Sequence, residues 1–99
     1  MIEKKVSPKG KSVRVTFALP AEAAHEKVAI VGDFNDWNPK KDSMKLDKKK
    51  GIWKTSISLK PGREYQFRYF VDDHEWRNDE EADAYVGNPY FGENSVLHL

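Results

Sequence analysis

The chain has 99 residues, 38% hydrophobic and 33% charged, with a formal net charge of +1 and no cysteine. That length suits one domain with a core of its own, and the missing cysteine excludes disulfides and thiolate chemistry and fits a reducing, cytoplasmic setting. No apolar run is long enough to span a membrane and none follows Met1-Ile-Glu-Lys-Lys, so neither a membrane partner nor a signal peptide is expected.

Residues 1–11 are basic and contain Pro8 and Gly10, which predicts a loose lead-in to a single domain over residues 12–99. From Ser12 the pattern alternates, with Val13, Val15, Phe17 and Leu19 on one face and Arg14, Thr16 and Ala18 on the other. This is a half-buried strand, ended by Pro20. Pro20 to Lys27 has helix formers but no apolar face, so one helical turn at most is expected, with His25 in solvent.

Val28 to Val31 is a short β-branched run that reads as a buried strand. Gly32 breaks it, and Asp33, Asn35, Asp36, Asn38 and Pro39 are turn formers around Phe34 and Trp37. Two large rings in a polar turn suggest that one anchors it to the core and the other faces a partner. Met44 and Leu46 suggest a short strand, and Lys48-Lys-Lys-Gly51 a hairpin turn. Lys40 to Lys50 holds six lysines against Asp42 and Asp47, a net +4 that reads as a solvated turn.

Ile52 to Leu59 puts Trp53, Thr55, Ile57 and Leu59 on one face, which makes Trp53 a core residue. Lys60-Pro-Gly-Arg63 has the residues of a type II turn. Glu64 to Val71 is the strongest strand, with Tyr65, Phe67, Tyr69 and Val71 inward and Gln66, Arg68 and Phe70 outward. Arg and Phe together on an outer face form a mixed platform for a ligand. Asp72-Asp-His-Glu75 turns the chain into a short returning strand with Trp76. Asn78 to Val86 reads as an acidic loop or a single helical turn, Asn88 to Gly92 as a turn, and Asn94 to Leu99 as a final strand. About six short strands with turns between them predict an all-β sandwich.

Catalytic chemistry has little to draw on. His25, His74 and His98 fall in a loop, a turn and the last strand, without the spacing of a triad. Asp72-Asp-His-Glu75 lacks the order of a calcium loop. The carboxylates fall in solvated loops rather than facing each other across a cleft, and no glycine-rich loop could cradle a phosphate. No catalytic residue, metal site or cofactor is expected. Binding remains: Trp37 and Trp76 sit in polar surroundings, where a ring face stacks on the C–H face of a pyranose while Asn, Asp and Arg bond its hydroxyls. The same rings could stack nucleobases. However, Asp72 to Glu93 holds eight carboxylates against Arg77, a net −7 that argues against nucleic acid.

Four stretches in order carry a resemblance: Gly32-Asp-Phe-Asn-Asp-Trp-Asn-Pro39, Gly62-Arg-Glu-Tyr-Gln-Phe-Arg-Tyr-Phe-Val-Asp72, Trp76-Arg-Asn-Asp79 and Gly92-Glu-Asn-Ser-Val96. Together they resemble the glycogen-binding module, carbohydrate-binding module family 48. This early-set domain precedes the catalytic barrel of branching and debranching enzymes and occurs in the β subunit of AMP-activated protein kinase. The resemblance implies an immunoglobulin-like sandwich of about six to eight antiparallel strands, here free-standing, that binds α-1,4- and α-1,6-linked glucans without catalysis. By motif position it implies stacking by Trp37 and Trp76, a basic contact from Arg68, a hydrogen bond from Asn94 and an apolar contact from Phe91. The hairpin departs from the family's frequent Val-Asp-Gly, reading Val71-Asp-Asp-His74. The rival reading is a protein-interaction adaptor that docks to a partner enzyme of glucan metabolism, and it gains if both tryptophans pack inward.

Overall fold

Alternation of apolar and polar side chains fixes the three longest strands, all of them inner ones, and the rest of the chain closes around them. The computed structural model describes residues 1–89 and 92–99, so the Phe91 expectation lies outside the described residues. Nine strands occur among the described residues: β1 (Ile2–Val6), β2 (Val13–Pro20), β3 (Val28–Gly32), β4 (Lys45–Asp47), β5 (Ile52–Leu59), β6 (Glu64–Val71), β7 (Glu75–Arg77), β8 (Ala84–Gly87) and β9 (Glu93–His98). They form two antiparallel sheets, ordered β1-β2-β5-β4 and β3-β6-β9-β8, with β7 also paired to β6. The only helical pieces among the described residues are one-turn 3-10 segments at Ala21–Ala23 and Asp33–Asn35.

The inward faces are those the alternation predicts. Val15, Phe17, Ile30, Phe67, Tyr69 and Leu97 are fully buried between the sheets. Phe67 packs edge-on against Phe17 at 5.1 Å and against Tyr69 at 5.9 Å, the arrangement that aromatic quadrupoles favour. Trp53 is 7% exposed, and its indole N–H donates to the Ala21 carbonyl at 3.2 Å. Gly62 has φ +75°, as the third position of a type II turn requires.

Two edge strands differ from the sequence expectation. Residues 2–6 are not loose: β1 pairs with β2 from Ile2↔Phe17 to Val6↔Val13. Only Ile2 is partly buried, and the exposed lysines are the kind of charge that protects a sheet edge while hiding its periodicity. Lys4 reaches across to Asp83 and the His98 carbonyl, clasping this edge to the other sheet. Similarly, the acidic stretch after Trp76 contains β8, which pairs with β9 from Ala84↔Val96 to Gly87↔Glu93.

Asp79 corrects the picture of solvated acids. It is 1% exposed, and its carboxylate accepts from the Tyr69 hydroxyl (2.6 Å), the Glu81 backbone N–H (2.7 Å) and the Met1 amino group (3.0 Å). Its own N–H donates to Ser95 Oγ at 3.0 Å. A carboxylate can be buried when its lone pairs are used in this way. Burial, and then the charge of Asp79, hold the Tyr69 hydroxyl well above its ordinary pKa.

Candidate functional site

The site begins where β3 ends. A Cβ at Gly32 would lie 2.4 Å from the Gln66 carbonyl and 2.8 Å from Phe67 Cβ, so only glycine lets the chain leave the sheet this close to β6. The next turn is held from inside by Asn35, which is 3% exposed. Its Oδ1 accepts from the Gly32 N–H (3.0 Å), and its Nδ2 donates to the Ile30 carbonyl (2.9 Å) and to Asp42 (2.7 Å). Phe34 packs toward Phe17 and Tyr65 at 6.0 and 6.3 Å, so it is the ring that anchors the loop.

Trp37 is held differently. Asp36 and Trp37 both have φ +57°, a conformation that is costly for a bulky residue and kept only where the surroundings enforce it. The Trp37 N–H donates back to the Gly32 carbonyl at 2.9 Å. Its indole N–H donates to Asp33 Oδ1 at 2.9 Å, while Asp33 Oδ2 accepts the Gln66 backbone N–H at 2.8 Å. One carboxylate therefore ties the orientation of this ring to the backbone of β6.

The second wall grows from a fork in β6. On one edge, β9 pairs with Glu64 to Phe67 and β7 with Tyr69 to Val71, leaving Arg68 at the point where the two ladders part. The hairpin to β7 manages without glycine because Asp72 and Asp73 take φ +50° and +59°, and aspartate tolerates this region better than most residues. The His74 N–H closes the turn onto the Val71 carbonyl at 3.1 Å. The Asp72 carboxylate also accepts the backbone N–H groups of His25, Glu26 and Lys27 at 2.8–3.0 Å, which lower its pKa from 3.8 to about 2.

Across the hairpin, Phe70 faces Trp76, with ring centroids 4.5 Å apart and planes 33° from parallel. The Arg68 guanidinium lies 5.9 Å from the Trp76 ring, within cation–π range. Trp76 remains 42% exposed. Arg68 Nε is buried with no hydrogen-bond partner among the described residues, so this donor is left over from folding. Three amide side chains continue the surface. Asn94 Nδ2 donates to Gln66 Oε1 at 3.0 Å, and Asn88 Nδ2 donates to Asn94 Oδ1 at 3.2 Å. The Gly92 N–H donates to Asn88 Oδ1 at 3.2 Å.

Four of the sequence-predicted residues meet. Trp37, Arg68, Trp76 and Asn94 line one concavity of about 680 Å³, together with Asn88 and Pro89. Sequence reasoning did not single out Asp33, Gln66 or Asn88 as part of this surface. Gln66 shares the outer face of β6 with Arg68 and could have been found from that alternation. Asp33 looked like a generic turn former. The surface offers flat rings, a guanidinium and amides, which suit a ligand with apolar ring faces and a hydroxyl periphery. Among the described residues, no group of three or more His, Cys, Asp or Glu is placed to hold a metal ion.

Comparison with known proteins places the chain in a family. Residues 9–94 match the family model described as the glycogen recognition site of AMP-activated protein kinase. The chain is also similar to 1,4-alpha-glucan branching enzymes. It is 38% identical over 61 residues to one from Rhizobium etli, covering 61% of this chain and 8% of the enzyme. It is 34% identical over 73 residues to one from Cupriavidus pinatubonensis, covering 70% and 10%. The chain thus spans a tenth or less of these two relatives. With the family model covering most of its length, the chain belongs to the glycogen-recognition family of AMP-activated protein kinase, the carbohydrate-binding module family 48 type.

Proposed function

We propose that the concavity between Trp37 and Trp76 binds α-1,4/α-1,6-linked glucans such as glycogen, starch and maltooligosaccharides, and that the domain does so without catalysis. Glucose units stack their C–H faces on the two indoles, while Arg68 and Asn94 exchange hydrogen bonds with the hydroxyls. The observation that carries this reading is the gathering of both tryptophans, the Arg68 side chain and the amides around one concavity. The rival adaptor reading predicts inward-packed indoles, whereas Trp76 is among the most exposed large apolar side chains described. Strain at Trp37 supports the same reading, because a bulky residue held at positive φ serves placement rather than stability.

Isothermal titration with maltoheptaose and β-cyclodextrin tests it. Two stacking faces and a few solvent-competed hydrogen bonds should give a Kd on the order of 1 µM to 1 mM. Wild-type protein that binds neither of these nor glycogen would overturn the reading. Release of reducing sugar from glycogen would overturn its non-catalytic part.

A further inference from the structure

A second concavity, of about 400 Å³, is lined by Phe70, the ring that faces Trp76. Trp76 lines the first hollow and Phe70 lines the second. The two hollows share their walls. One is the loop after β3, which contributes Trp37 to the first and Pro39 and Lys40 to the second. The other is the β6–β7 hairpin, which contributes Trp76 to the first and Phe70 and Asp73 to the second. Two hollows joined through one stacked pair of rings can be occupied together by a polymer and not by a single sugar.

The lining of the second hollow repeats the chemistry of the first in another form. Phe70 and Pro39 give apolar surface, and Ser43, exposed beside the edge of β3, gives a hydroxyl. Lys40 is exposed and forms no ion pair among the described residues, so its ammonium is available. Lys27 and Asp73 form an ion pair at the rim. This pairing leaves Lys40 as the one uncompensated charge of the lining, so most of the hollow is apolar surface and hydroxyl, which suits a polyhydroxyl ligand better than a polyanion.

We infer that this hollow is a second α-glucan subsite. It takes glucose units further along a chain whose first units lie between Trp37 and Trp76. The inference rests on the glucan reading of the first hollow and adds to it a dependence on chain length.

Titration of wild type and of the double variant Lys40→Ala/Ser43→Ala with maltotriose, maltoheptaose and longer linear maltodextrins separates the two. In the wild type, affinity should keep rising beyond the length that fills the first hollow. In the variant, affinity for long chains should fall about threefold to tenfold, roughly 0.6–1.4 kcal/mol, while maltotriose binds as before. Amide resonances of Ala29, Lys40 and Ser43 should shift with long chains and stay still with maltotriose. A wild type that binds short and long chains equally, with these amides unmoved, overturns the second subsite and leaves the first standing. A wild type that binds no glucan of any length overturns both. Equal losses on maltotriose and long chains would assign Lys40 and Ser43 to the first hollow, and would also overturn the inference.

Discussion

On the outer face of the β1-β2-β5-β4 sheet, cross-strand neighbours are Arg14 with Ser58, Thr16 with Ser56, and Ala18 with Lys54. Thr16 Oγ1 and Ser56 Oγ lie 2.8 Å apart and satisfy each other. On the outer face of the other sheet, Val31 stands beside Arg68 and Ala29 beside Phe70. Here outward-facing Val31 and Val96 are buried, with 0% and 2% exposed, and Arg68 Nε has no hydrogen-bond partner among the described residues. The same two-residue alternation produces both faces. One is finished with a Thr16–Ser56 pair that satisfies itself and with Arg14 and Lys54 in solvent, and needs only water. The other has its own apolar floor, rings above it, and a donor that folding leaves unused. Outward direction is therefore not what marks a candidate binding face; incomplete satisfaction over a packed floor is.

The most severe way to probe this contrast is to strike beneath both faces at once. Trp53→Ala should cost about 3–5 kcal/mol of stability, as for other large core aromatics, with glucan affinity of the folded protein unchanged. Chemical denaturation alongside titration of the native protein checks both parts. Next come the rings on the binding face: Trp37→Ala and Trp76→Ala should each remove about 1–3 kcal/mol of glucan affinity, the range for lost aromatic stacking. Arg68→Ala should remove about 0.5–2 kcal/mol, as for a hydrogen bond to a charged group in competition with water. Large losses of melting temperature with unchanged affinity would mean that these groups serve the fold.

A gentler probe uses acid. Asp72 braces the hairpin that carries Trp76, and its pKa is lowered from 3.8 to about 2. Its stabilising contribution is therefore fully present above the ordinary carboxylate value and disappears as pH falls through the lowered one. Between those two pH values, wild-type stability should fall more steeply than that of Asp72→Asn; parallel melting curves would deny Asp72 this role. The smallest effect belongs to the self-satisfied face. The double change Thr16→Ala/Ser56→Ala removes both partners together and should shift stability by no more than about 0.5 kcal/mol, with no change in glucan titrations.

The inner strands were legible because burial imposes a period of two on β2, β5 and β6, and the Pro61-Gly62 turn because its dihedrals demand those residues. β1 escaped because backbone pairing at an edge needs no apolar pattern; its lysines read as a loose lead-in. β8 escaped because acidic neighbours outweighed Ala84, Tyr85 and Val86. The burial of Asp79 depends on Tyr69 and Ser95, ten and sixteen residues away, and no local pattern reports that. Within the candidate site, motif positions named Trp37, Arg68, Trp76 and Asn94, and periodicity independently put Arg68 outward. Asp33, by contrast, bonds β6 thirty-three residues further on, a relation visible only in the fold.

The close approach at Gly32 has a consequence for redesign. Trp37 is located by backbone and by buried or tethered groups on its N-terminal side: Gly32 against β6, Asn35 inside the turn and Asp33 under the indole. The four residues that follow, Asn38 to Lys41, are all exposed before Asp42 rejoins the edge of β3 through the Ile30 N–H. The loop is thus divided into a fixed mount and an interchangeable tip. Grafting foreign tetrapeptides between Trp37 and Asp42 should leave maltotriose titrations unaltered while changing which longer ligands are accepted. Loss of maltotriose binding in every graft would show that the tip is part of the mount.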